Sequence, residues 1–306
     1  MRIPLTAALL LAASCVSTPD VEGVIQGPPA TSEEPGSAPA ESSILPDRTP
    51  VLEPTEFTRE ELRREATARI EALDTRCREL LPAAQAGGAS YEALMEASRA
   101  LIFNADLRIQ TDVALRFDPN DLPTTSTLID AEDDVSSDLK GEVRSLAKES
   151  RDLAERASEL RPDDPAAELF TTLGIGLSLW SMGPLQALTN GATTTLPKRI
   201  KAIAESHPEF EGASPLRLKG RFASRAPWPY KDKKAGVEAL ERAVEVAPIP
   251  LNLLFLGDAY WVNDQEQAAL AAWERGTQAV ADLETEIASP FLREICRLRI
   301  LSARKD

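Results

Sequence analysis

The chain has 306 residues, with 34 Lys and Arg against 49 Asp and Glu, three Cys and a single His, giving a formal charge of −15 at pH 7. That inventory excludes a zinc centre rich in His and Cys and a haem held by two His, so no metal or other cofactor is expected. The negative charge opposes binding to phosphate backbones, which require clustered Lys and Arg, and nucleic acid is not an expected partner.

The first residues read as an address. Arg2 is followed by a short apolar run and then by Ala12-Ala13-Ser14-Cys15. The run is well below the ~20 residues that a membrane-spanning helix needs, so it is an export signal rather than a span. It resembles a bacterial lipoprotein signal, with Leu11 one place earlier than usual. Residues 1–14 are therefore expected to be removed and Cys15 to be acylated, anchoring the chain to a membrane. Residues 16–56 contain eight Pro and eight acidic residues against Arg48 alone. So little apolar surface cannot offset the entropy of ordering, and the segment is expected to be a disordered tether of about 35 Å.

From Phe57 onward the apolar period is helical, and residues 57–306 are expected to form one all-α domain. Thr58-Arg-Glu-Glu61 is a capping box, and the stripe Ile70, Leu73, Cys77, Leu80 runs until Pro82 and Gly87-Gly88. Ser90 caps the next stripe, Leu94 to Ile109. Gly141 to Leu160 is a third amphipathic helix. Cys77 and Cys296 fall on such stripes near opposite ends of the domain. They are expected to be buried free thiols, with a disulfide as the alternative.

A helix end followed by proline recurs as Arg116-Phe-Asp-Pro119, Glu159-Leu-Arg-Pro162, Glu205-Ser-His-Pro208 and Glu245-Val-Ala-Pro248. Each interval accommodates two helices, the size of a tetratricopeptide-like unit, and such hairpins bury their stripes by stacking into an α-solenoid. The last units are clearest. Ser214–Arg225 and Pro250–Tyr260 are first helices, with Gly220 and Gly257 where a partner must approach closely. Lys234 to Pro248, with Ala235, Ala239 and Ala243 on one face and the proline as its stop, and Asp264 to Gly276 are second helices. Residues 169–188 are the least polar stretch, read as a central buried helix broken by Gly183-Pro184. The alternative is an apolar cavity lined by Trp180, Met182 and Leu185.

Pro208, Phe210, Gly212, Pro215, Arg217, Gly220 and the turn Ala226-Pro227-Trp228-Pro229, followed by an Ala-rich helix and Asn252-Leu-Leu-Phe-Leu-Gly-Asp-Ala259, resemble the TatT family of tetratricopeptide-like lipoproteins associated with tripartite ATP-independent periplasmic (TRAP) transporters. The resemblance covers roughly residues 150–280. The N-terminal helices, the acidic Asp130–Asp138 stretch and the Gly191-Ala-Thr-Thr-Thr insertion depart from the family pattern. The resemblance implies a non-catalytic periplasmic protein, anchored in the envelope and facing the periplasm from the outer membrane. It also implies pairing with a periplasmic solute-binding protein, homo-oligomer formation, and transfer of small carboxylates.

Catalytic signatures are missing from the sequence. His207 stands alone and sits where a helix C-cap belongs, Gly174-Ile-Gly176 lacks a third glycine, and there is no P-loop or G-x-S-x-G. Glu132-Asp-Asp134 reads as a solvated helix face rather than a calcium loop. No catalytic residue is expected. The alternatives to a transport-associated binding protein are an envelope-assembly scaffold and a hydrolase built on carboxylates. If a ligand or partner surface exists, inward side chains of the first helices should form it, with Trp180, Arg217, Trp228, Tyr230, Asn252 and Tyr260 as candidates.

Overall fold

The structure is a computed structural model that describes residues 57–191, 194–226, 230–279 and 287–306. The chain divides into residues 1–51 and 52–306, and the helices of the described residues lie in the second unit. The expected signal, Cys15 and the tether lie outside the described residues.

Every regular element among the described residues is helical, the all-α helical-repeat architecture that the periodicity implies. Helices α1 (Arg59–Gln85) and α2 (Tyr91–Arg116) form the first hairpin. Thr58 and Glu61 close a capping box, and Ser90 accepts from the amide of Ala93. α1 runs through Pro82 to Gln85 and ends just before Gly87-Gly88. The proline lies in the last turn, where few ladder bonds remain to be lost. Arg156 of α4 (Ser137–Leu160) reaches across to the terminal carbonyl of Ala84 at 2.9 Å. α4 itself begins four residues before Gly141, because the Ser136 hydroxyl accepts from Leu139 at 3.1 Å.

Between α2 and α4 lie the short α3 (Thr125–Ile129) and a 3-10 turn, Asp130–Asp134. α5 (Pro165–Met182) starts on an Asp164 cap and ends at Gly183, whose φ of 82° suits glycine. It is followed by α6 (Pro184–Thr189) and α7 (Thr195–Ser206), and His207 occupies the C-cap, its N–H bonding Ile203 O at 2.9 Å. The final elements are α8 (Phe210–Arg225), α9 (Lys233–Val246), α10 (Pro250–Trp261), α11 (Glu266–Gln278) and α12 (Ser289–Ala303). All four expected helix-ending prolines follow a helix end, and α8–α9 and α10–α11 are the two expected hairpins.

Consecutive hairpins pack side by side, with α4 on α2 and α5, α8 on α9 and α10 on α11 as the broadest contacts. Gly220 is where α8 meets α9: a Cβ there would stand 2.5 Å from Leu240 Cγ and 2.9 Å from Gly236 O. Gly257 leaves the same kind of space for the Trp273 indole of α11. Cys77 and Cys296 are free and buried, Cys77 with α2 and α5 residues and Cys296 with α10 and α12 residues. Burial pushes both thiols up, which leaves them poor nucleophiles.

The array does not stay open like a simple solenoid. α12 packs on α10 and α11 and also returns to α2 and α3, so the last layer touches the first. One apolar cluster runs through the join, from Leu107 and Val113 of α2 through Ile129 to Leu254, Trp273, Phe291 and Ile295. Burial of side chains of this size, each worth about 1.5–3 kcal/mol, is what closes it.

Candidate functional site

The closure concentrates polar chemistry at two neighbouring places on α8 and α10. The first is a left-handed turn. Glu211, Gly212 and Ala213 have φ of 43°, 61° and 61°, of which only the glycine is free of Cβ strain. The turn is held from three sides. Arg99 of α2 forms an ion pair with Glu211 and lies over the Phe170 ring of α5 at 5.2 Å. Asn252 Nδ2 donates to Gly212 O at 3.0 Å, and Arg217 Nη1 donates to Asn252 Oδ1 at 2.9 Å. Arg217 also bonds Ser214.

Two expected ligand residues, Arg217 and Asn252, are thus brought together, but both are buried, at 7% and 0% exposure. Asn252 also reaches Ala243 O at 3.2 Å and Ala247 O at 2.8 Å, carbonyls at the end of α9. Their polar atoms therefore bind protein acceptors and donors and lock α8, α9 and α10 into one block. The other candidates are dispersed. Trp180 is half-buried near Lys140, whose Nζ lies 5.9 Å from its ring. Tyr230 is exposed beside Phe222, with ring centroids 6.5 Å apart. The Tyr260 hydroxyl donates to Glu241 at 2.6 Å, and burial with that carboxylate pushes its pKa up to about 12. Trp228 and the Leu185 side chain lie outside the described residues. Trp180 is not brought to Arg217 or Asn252 by any contact among the described residues.

The second place was not foreseen from the sequence. Asp258 of α10, 2% exposed, accepts from Trp273 Nε1 of α11 and Arg299 Nε of α12, both at 3.2 Å. Its other oxygen faces Arg221 of α8 at 3.4 Å. Arg221 lies over the Phe255 ring at 4.3 Å and pairs with Glu132 of the 3-10 turn at 2.5 Å. One helical turn along α8, Arg225 meets Asp133 at 2.5 Å, Asp130 at 3.2 Å and Ile129 O at 3.0 Å. Glu132 is thus not part of a solvated face. Burial works to raise its pKa, but Arg221, Arg225 and Arg299 together hold the carboxyl below the usual range. Burial likewise works against charge on Arg225, but Asp133, Glu132 and Asp130 outweigh it.

A buried ion pair of this kind is held by geometry rather than by net gain, since desolvation offsets most of the attraction. Five elements converge on it: the 3-10 turn, α8, α10, α11 and α12. One signal for it was present in the sequence. Asp258 and Arg299 stand at i+4 from Leu254 and Ile295, charged residues inside otherwise apolar stripes.

Among the described residues, no group of three or more His, Cys, Asp and Glu is arranged to hold a metal ion. No helix among them is long and apolar enough to cross a membrane. No protein-family model matches the sequence, and no curated protein matches it.

Proposed function

We propose that this protein is a lipid-anchored, non-catalytic binding protein of the bacterial envelope. It faces the periplasm and works beside the solute-binding protein of a TRAP-type transporter. The observation that carries the reading is the α8–α10 block. The residues on which the TatT resemblance rests, Gly212, Arg217, Gly220 and Asn252, are those that interlock there through hydrogen bonds and close backbone approach. The cysteine after a short apolar run and the acidic, Pro-rich stretch behind it support the anchor and the stand-off from a membrane.

A specific observation favours a second form of the reading, an envelope scaffold that binds its partner on its outer face. Asp258, Arg299 and Trp273 occupy the join between the first and last layers, where the inner wall of an open solenoid would offer a ligand surface.

The test is expression of the full chain in a Gram-negative host with labelled palmitate, followed by native mass spectrometry of the purified protein. Label lost in Cys15→Ser, together with a co-purifying solute-binding protein, supports the transport reading. Label with an envelope-assembly partner instead supports the scaffold. An unlabelled, soluble product, or turnover of a glycan or peptide library, overturns both.

A further inference from the structure

α1 and α4 both pack on α2, and between them a groove of about 360 Å³ runs along the α2 residues Arg108, Thr111, Asp112, Leu115 and Arg116. These recur at spacings of three and four, so they share one helix face. Ile70 of α1 and Leu139 of α4 complete the lining. The volume falls within the range of small-molecule sites, about 300–1,000 Å³.

The charges around this groove are already matched. Arg108 donates through Nε to Asn104 at 3.0 Å, through Nη1 to Glu142 of α4 at 2.8 Å and through Nη2 to Asp74 of α1 at 2.8 Å. Arg116 engages Asp112 through Nε and Nη2, and Ala131 O through Nη1 at 2.9 Å. Every guanidinium nitrogen of the two arginines therefore has an acceptor, and three carboxylates stand beside them. An incoming anion would find no free cation and would meet like charge.

Thr111 is different. It is 8% exposed, and its hydroxyl makes no hydrogen bond among the described residues. The helical hydroxyls of Thr67 and Thr172, by contrast, donate to the carbonyl four residues back, at 3.1 Å and 2.8 Å. A buried hydroxyl without a partner is destabilising until something bonds it.

We infer that this groove binds a small uncharged molecule with an apolar body and one hydrogen-bonding group. That group pairs with the Thr111 hydroxyl, and Ile70, Leu115 and Leu139 cover the apolar part. Neutral ligands are selected because the arginines are spent on their own carboxylates. The groove shares no residue with the α8–α10 block, so the inference stands or falls apart from the proposed function.

The test is a titration of the full chain with 1-hexanol, followed through the methyl NMR signals of Ile70, Leu115 and Leu139. Saturable shifts of these signals are expected. Thr111→Val keeps the side-chain shape and loses no hydrogen bond within the protein, and it should weaken the apparent Kd about threefold to tenfold. Ile70→Trp fills the groove and should remove the shifts of Leu115 and Leu139. Sodium hexanoate, with the same chain length, should bind at least about tenfold more weakly than the alcohol. Shifts that do not saturate, an unchanged Kd in Thr111→Val, shifts that persist in Ile70→Trp, or hexanoate binding as tightly as hexanol overturns the inference.

Discussion

Asn252 accepts a hydrogen bond from Arg217 at 2.9 Å while its amide nitrogen lies within 3.2 Å of three carbonyls, those of Gly212, Ala243 and Ala247. One side chain thus caps α9 and holds the left-handed turn at the start of α8. Asn252→Ala leaves these carbonyls and the Arg217 guanidinium short of partners in a dry environment. The expected loss is about 1–3 kcal/mol for each buried group left unpaired, read from urea unfolding. Arg217→Ala should show a comparable loss. A ligand-binding arginine on an open surface would be removable at almost no cost in stability, so unchanged unfolding in Arg217→Ala would contradict the structural role.

Two glycines provide a matched pair. Gly141 is a helical residue of α4, and a methyl group added there would meet nothing within 4 Å, so Gly141→Ala should stabilise by about 0.5–1 kcal/mol through helix propensity. Gly220→Ala drives a methyl into Leu240 and the Gly236 carbonyl and should destabilise by about 1–3 kcal/mol. Thermal melts of both variants should shift in opposite directions.

Asp258 binds Trp273, Arg299 and Arg221 at once, so Asp258→Ala takes the paired carboxylate from buried Arg299 and leaves Arg221 with Glu132. The expected cost is about 3–5 kcal/mol. Replacing Asp258 and Arg299 together with Leu and Met should recover much of that loss, because an apolar pair carries no desolvation penalty. Failure of the double variant to regain stability over Asp258→Ala would show that the aspartate has another task.

The Glu132 carboxyl lies below its ordinary value of 4.5 in the folded protein, after burial is outweighed by Arg221, Arg225 and Arg299. A depressed folded value means that the contribution is complete above the unfolded value and is lost as pH falls through the folded one. Stability should therefore decline below about pH 4.5, and the decline should be shallower in Glu132→Gln, which has no proton to take up. Denaturant titrations of both proteins between about pH 6 and about pH 3 give the comparison.

The helices were legible because their signals are local. Thr58, Glu61, Ser90 and the four prolines act within one turn of the residues that they cap or stop, and Gly220 betrays a close neighbour by its missing side chain. The candidate site was legible only in part. Arg217 and Asn252 stand out by residue type, but whether their polar atoms face a ligand or one another depends on where α8 meets α10.

The amino-acid sequence by itself determined helix class, hairpin size and the α8–α9 and α10–α11 pairings, since periodicity, capping and breaking are set by neighbours three or four residues away. Tertiary structure alone decided that α12 returns to α2. It also decided that Glu132, remote in sequence from Arg221, Asp258 and Arg299, joins them in one network. Long-range charge pairing leaves no periodic trace in a chain: any of 49 acids and 34 bases satisfies it on paper, and only the packed backbone selects which ones meet.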